Sequence, residues 1–268
     1  MGTTVQPVGN LLREWRQRRR MSQLDLACEA EISTKHLSFL ETGRSIPSRD
    51  MVLHLAERLE VPLRERNVLL LAAGYAPMFP ERTLDDPALA AARKAVDVIL
   101  AGHEPYPAIA VDRHWTLVAS NRAVAPVMAG VDPALLRPPA NAMRIALHPA
   151  GLAPRIVNLA EWRAHLLARL RHQIMVSADP GLVQLFTELR SYPAPEGGGT
   201  DVGDEPAVVV PLRLATEGGV LSFVSTITVF GTPVDITLAE LALETFFPAD
   251  PATAEALHRV GREQAAAR

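Results

Sequence analysis

Thr34, Lys35, Ser38 and Phe39 stand close together in the chain, and their side chains offer the chemistry of base recognition. A lysine can donate to guanine O6 or N7, threonine and serine hydroxyls can bond either kind of base edge, and a phenylalanine ring can lie against a thymine methyl. At about 100° per residue, Leu37 and Leu40 mark one side of a helix as buried. Lys35, Ser38 and Phe39 then turn outward and Thr34 takes the flank. Phe39 is the odd member, since burial alone would not choose an aromatic on the outer side.

The surrounding residues supply elements that would hold such a face. Ser22 is an N-cap candidate for a helix from Gln23 to about Ala30, in which the small Ala27 lets a second helix cross closely. Ile32, Leu37 and Leu40 give the second helix its apolar contacts, and Ser33 can cap it. Upstream, Val8 to Arg20 reads as an Arg-rich helix with Leu11, Leu12 and Trp15 on one side. Downstream, Ser48 opens a helix carrying Met51, Val52, Leu55, Ala56 and Leu59, and Val61-Pro62 opens another that ends at Gly74. Five helices of this length predict a compact helical bundle.

The motif resembles the XRE family of lambda-repressor-like helix-turn-helix domains, through Gln23, Ala27, Ser33, Leu37, Leu40, Glu41 and Gly43. The resemblance implies binding to double-stranded DNA. It places Gln23 and Arg44 at phosphates, presents Thr34, Lys35 and Phe39 to bases, with Ser33 and Ser38 beside them, and makes Glu41 structural. Glu31 departs from the pattern, because the interhelix turn favours a left-handed backbone and the family often has Gly there. A non-Gly residue costs about 1–2 kcal/mol in that conformation.

Composition sets the outer limits. A length of 268 residues suggests two domains, and 48% hydrophobic residues suffice for ordinary cores. The net charge of −3 divides unevenly: residues 1–75 hold 11 Lys+Arg against 9 Asp+Glu, leaving the remainder acidic. Only local cations are needed to neutralise phosphates, although Arg18 to Arg20 would also suit a solvated face. No long uncharged apolar run and no apolar leader occur, so neither a membrane span nor a secretory signal is expected and the location expected is cytoplasmic. Cys28, the one cysteine, fits a small buried helix residue. The histidines are scattered: His165 and His172 share a helical face without a third ligand nearby, no nucleophile–base spacing is evident, and no metal, cofactor or catalysis is expected.

Domains are expected at 1–76 (DNA-binding) and 88–262 (sensor), with a linker at 77–87 and a tail at 263–268. Pro107 to Asp112 and Trp115 to Ser120 read as a β-hairpin, and Leu159 to Val176 and Pro180 to Leu189 as helices. Asn121 to Met128 reads as a shorter helix. Ala207 to Leu214 and Val220 to Phe230 read as strands joined at Thr-Glu-Gly-Gly. Ile236 to Phe247 fits either a strand or a helix. The Gly-rich run from Glu196 lacks the Lys-Ser/Thr ending of a phosphate-binding loop. The expected fold class is therefore multidomain, a helical domain followed by an α+β domain with a five-stranded antiparallel sheet covered on one face.

That order resembles a PAS-like sensor, and the stretches at 107–124, 141–149, 155–171 and 243–257 resemble the ligand-binding domain of MmyB-like transcription regulators. This implies a transcription regulator with a small lipophilic ligand, a fatty acid being the best guess for the family. Ile109, Val111, Leu117, Phe223, Ile227 and Leu243 would line an alkyl pocket, with Asn121, Arg144 or Arg155 placed for a carboxylate. The family commonly has Trp-Asn where this chain has Ser120-Asn121, so a pocket residue is expected to differ. A homodimer is expected, because one short recognition helix covers half of a usable operator. The competing reading is an antitoxin-like or protein-binding module with a DNA-binding head and no small-molecule ligand.

Overall fold

Short runs of apolar residues closed by left-handed residues build the N-terminal part of the molecule. In the structure, a computed structural model that describes residues 6–193 and 210–266, five helices follow one another: α1 (Val8–Arg18), α2 (Gln23–Glu29), α3 (Thr34–Glu41), α4 (Arg49–Arg58) and α5 (Leu63–Ala72). Ser22, Ser33 and Ser48 cap α2, α3 and α4 through their hydroxyls, and Asp25 completes a capping box with Ser22. All five helices end alike. Arg20, Glu31, Gly43, Glu60 and Gly74 take positive φ, and the next residue's N–H reaches back to a carbonyl of the last turn, as from Ile32 to Ala27 and from Arg44 to Phe39. The following residue is apolar at Met21, Ile32, Val61 and Tyr75, and charged only at Arg44. Leu12, Trp15, Leu26, Leu37, Leu40, Leu55, Leu69 and Leu70 form the core between the helices.

Compactness divides the chain into two units: Met1–Arg82 with Met175–Ser177 and Pro233–Ala239, and Thr83–Ile174 with Ala178–Thr232 and Glu240–Arg268. The first therefore gains a piece from late in the sequence. Its turn of helix, α12 (Ile236–Ala239), packs on α5. Asp235, almost fully buried, pairs with Arg82 at 3.0 Å, and the Ile236 N–H donates to the Pro80 carbonyl.

The second unit is built on an antiparallel sheet of five strands: β1 (Ala108–Val111), β2 (Leu117–Ser120), β3 (Leu212–Thr216), β4 (Gly219–Val229) and β5 (Ala242–Pro248), in the order β2-β1-β5-β4-β3. After a 3₁₀ turn at Pro87–Leu89, α6 (Ala90–Gly102) covers one face with Val96 and Leu100 against Ala108, Ala110 and Leu243. The opposite face carries Ile109, Val111 and Phe223 into the main core with α10 (Leu159–Ser177), α11 (Pro180–Ser191) and the short helices α7 (Val124–Val127), α8 (Pro133–Leu136) and α9 (Ala142–Leu147). β1 is thus buried on both sides, where a singly covered sheet was expected. Asn121 to Met128 forms only the single turn α7. The segment from Ile236 divides, α12 first and then β5. A terminal helix, α13 (Pro251–Ala266), packs on β4 and β5. The Gly-rich run from Glu196 and the start of the strand expected at Ala207 lie outside the described residues.

Candidate nucleic-acid interface and ligand cavity

The first site begins with a buried acid. Glu41, at the end of α3, is 1% exposed and receives a fork from Arg16, Nε to Oε1 at 2.6 Å and Nη2 to Oε2 at 2.9 Å. Gln23 Nε2 donates to Oε2 at 2.9 Å and Arg13 adds a longer contact at 3.4 Å. Burial alone would raise the Glu41 carboxyl, but these donors and the Arg16 charge outweigh it and hold it below the usual carboxylate range. Arg16 is held correspondingly higher. α1 can approach α3 this closely because residue 9 is glycine: a Cβ there would stand 2.3 Å from the Leu40 carbonyl oxygen.

This clamp joins α1 and α2 to α3 and leaves the far side of α3 open. Lys35 and Arg44 are exposed, while Thr34, Ser38 and Phe39 are half-buried. Lys35 Nζ stands 5.7 Å from the centre of the Phe39 ring and the Arg44 guanidinium 5.8 Å, so one aromatic carries two cations. Ser33 accepts the His36 N–H and acts as the cap of α3, and Gln23 is a member of the clamp. The Arg-rich stretch is largely structural: Arg13 and Arg16 serve Glu41, and Arg19 donates to the Leu59 and Glu60 carbonyls at the end of α4. Cys28 is exposed, contrary to the expectation of burial.

The second site is a cavity of about 80 Å³ in the main core of the second unit. Ile109, Leu117 and Phe223 line it from the sheet; Val124, Val127, Met128, Met143 and Ile145 from the short helices; and Trp162 and Leu166 from α10. Trp115 completes the wall at φ 67°, a left-handed conformation that costs a bulky residue about 1–2 kcal/mol. It is fixed by a bond from its Nε1 to Gln173 Oε1 at 2.8 Å and by the Arg169 guanidinium 4.2 Å from its ring. Among the described residues the only charged member of the wall is Glu244, which pairs with Arg169 at 3.0 Å. His165 stacks on Trp162, and burial together with the Arg169 cation pushes its imidazole below the usual range.

A family model described as the MmyB-like transcription regulator ligand binding domain matches residues 92–260, and a helix-turn-helix domain model matches residues 7–69. The chain belongs to the MmyB-like transcription regulators. It is also similar to a protein of Methanoculleus marisnigri that carries the provisional name HTH-type transcriptional regulatory protein, with 34% identity over 123 residues. That match spans 44% of this chain and 39% of the relative. The MmyB-like regulator therefore joins a DNA-binding domain to a ligand-binding domain, and the structure places one candidate site in each.

The remaining residues expected at the ligand lie apart from the cavity of this MmyB-like domain. Val111 is buried in the same core without lining it, and Leu243 faces α6 on the other side of the sheet. Ile227 is 44% exposed. Asn121 ties backbone together, accepting from the Ala108 N–H and donating to the Leu100 and Tyr106 carbonyls. Arg144 forms a fork with Glu188, both bonds 2.8 Å, and Arg155 donates to the Val127, Ala129 and Ala215 carbonyls. Ser120, where the family commonly has Trp, is exposed and outside the wall. Trp162 and Glu244 were missed. For Glu244 the signal was the register: Ile109 pairs with Glu244, so the two share a face that Leu243 does not.

Proposed function

We propose that the chain is a sequence-specific regulator that binds its operator as a homodimer and responds to a small lipophilic molecule, a fatty acid or a close chemical relative with an alkyl chain. α3 would enter the major groove with Thr34, Lys35, Ser38 and Phe39 toward base edges, while Arg44, Gln23 and the N-terminus of α3 at Ser33 lie toward phosphates. Two copies would address half-sites about 34 Å apart, one duplex turn. The observation that carries the reading is the Lys35–Phe39–Arg44 cluster, a cationic and aromatic face left open on a helix whose other side is clamped through Glu41.

For the ligand, the support is an apolar cavity inside the domain. Its volume of about 80 Å³ is near half that of an engineered ~150 Å³ cavity that accepts benzene. An alkyl chain would have to widen it. Met128 and Met143 in the wall are side chains that repack readily. A ligand that requires a wider wall stabilises one arrangement over another, which is what a sensor needs in order to change DNA affinity. This cavity favours the small-molecule reading over the antitoxin-like one.

Footprinting on the promoter of the protein's own gene, with and without total lipid extract, tests both halves. Protection of two half-sites that changes with lipid is the expected result. Protection that ignores lipid, from protein in which native mass spectrometry finds no bound small molecule, would remove the ligand half.

A further inference from the structure

The cavity wall contains one buried donor without a partner among the described residues, and one carboxylate. Trp162 is 3% exposed and lines the cavity, yet its Nε1–H has no acceptor among the described residues. A buried indole N–H ordinarily finds a partner, because leaving it unpaired costs more than the bond is worth. The other tryptophan of the wall shows the contrast, since Trp115 donates to Gln173. Across the same cavity, Glu244 accepts from Arg169 through Oε1 at 3.0 Å, and a carboxylate has lone pairs to accept from a further donor. Arg169 Nη2 is also unpartnered, but Arg169 does not line the cavity and its charge is matched by Glu244.

These features restrict the head of the molecule that enters. An acceptor is wanted at Trp162, a donor is welcome at Glu244, and among the described residues the one charge on the wall is negative. A carboxylate would bring a second anion into a low-dielectric space beside Glu244 with no uncommitted cation on the wall, an arrangement that burial penalises heavily. The three cationic or amide residues that could have held it, Asn121, Arg144 and Arg155, are engaged elsewhere. Resting on the reading of this cavity as the ligand site, we infer that it selects a lipophilic molecule whose head is uncharged and both accepts and donates a hydrogen bond, a long-chain alcohol or primary amide, in preference to the ionised fatty acid. The head accepts the Trp162 N–H and donates to the Glu244 carboxylate, and the chain lies among Ile109, Leu117 and Phe223.

Calorimetric titration of the full-length protein at pH 8 with octan-1-ol, octyl methyl ether and octanoate tests this. Octan-1-ol is expected to bind at least about tenfold more tightly than octanoate, with the ether, which accepts but cannot donate, between them. Trp162→Phe is expected to weaken the alcohol by about threefold to tenfold. Glu244→Gln removes the anion and frees the Arg169 charge, so the alcohol's advantage over octanoate is expected to vanish or invert. Should Trp162→Phe fail to fold, the wild-type comparison and Glu244→Gln decide the matter alone. Octanoate binding as tightly as octanol in the wild type, or an unchanged preference in Glu244→Gln, overturns the inference while leaving the cavity a ligand site. Absence of binding by all three compounds overturns the ligand site itself.

Discussion

Phe39 offers its ring to two cations at once, and that makes it more than an apolar contact. Lys35→Ala is expected to cost about 1–3 kcal/mol of discrimination at one base position, whereas Arg44→Ala should weaken binding to all sequences alike and flatten the salt dependence. Phe39→Ala should mimic part of both, because Lys35 and Arg44 lose the surface that orders them. Quantitative gel shifts against an operator with single-base changes, read beside melting temperatures, separate these effects from loss of folding. Glu41 predicts a pH dependence. Its carboxyl is held below its unfolded value, so its contribution is present above about pH 4.5 and is lost as pH falls through the folded value. Glu41→Gln should flatten the acid limb of the stability curve and cost about 3–5 kcal/mol at neutral pH by leaving Arg16 buried and unpaired. The recognition face was legible from local spacing because helical periodicity fixes it. The clamp was not legible from residue chemistry, since Arg13, Arg16 and Gln23 reach Glu41 from 28, 25 and 18 residues away.

At the level of elements, helix endings bear the strain. Glu31 sits at φ 51° in the turn that sets the angle of α3 against α2. Glu31→Gly is expected to stabilise the protein by about 1 kcal/mol, the relief of left-handed strain offset in part by the extra freedom of the unfolded glycine, and urea denaturation would show it. Gly9→Ala should do the opposite. The added Cβ meets backbone oxygens of Leu40 and Glu41, which no side-chain rotation can relieve, and a loss of about 1–3 kcal/mol is expected. The five N-terminal helices were readable because each has its own start and stop residues. Four of the strands were readable, while β5 fell in a segment that fits a strand or a helix; the register was not readable, and one residue of slip exchanges Leu243 for Glu244 at the cavity. α13 went unread although Asp250-Pro251 announces it: Asp250 Oδ1 accepts the Thr253 N–H at 2.7 Å.

For the molecule as a whole, a ligand that widens the cavity must alter stability and DNA affinity through one thermodynamic cycle. If octan-1-ol changes operator affinity by some factor, operator DNA must change octan-1-ol affinity by the same factor. Calorimetry of the alcohol with and without operator, set beside gel shifts with and without alcohol, checks this equality. No helix among the described residues is long and apolar enough to cross a membrane.

The position of β5 has a consequence for biosynthesis. It runs between β1 and β4, near the two extremes of its unit in sequence, so the β1–β2 hairpin has no neighbour to complete it until Ala242–Pro248 has been translated. While the nascent chain waits in the ribosomal exit region, an edge with unpaired backbone stays open to chaperones or to other emerging chains. Slow codons placed before residue 242 would lengthen that window, and the yield of properly assembled regulator should fall as it grows.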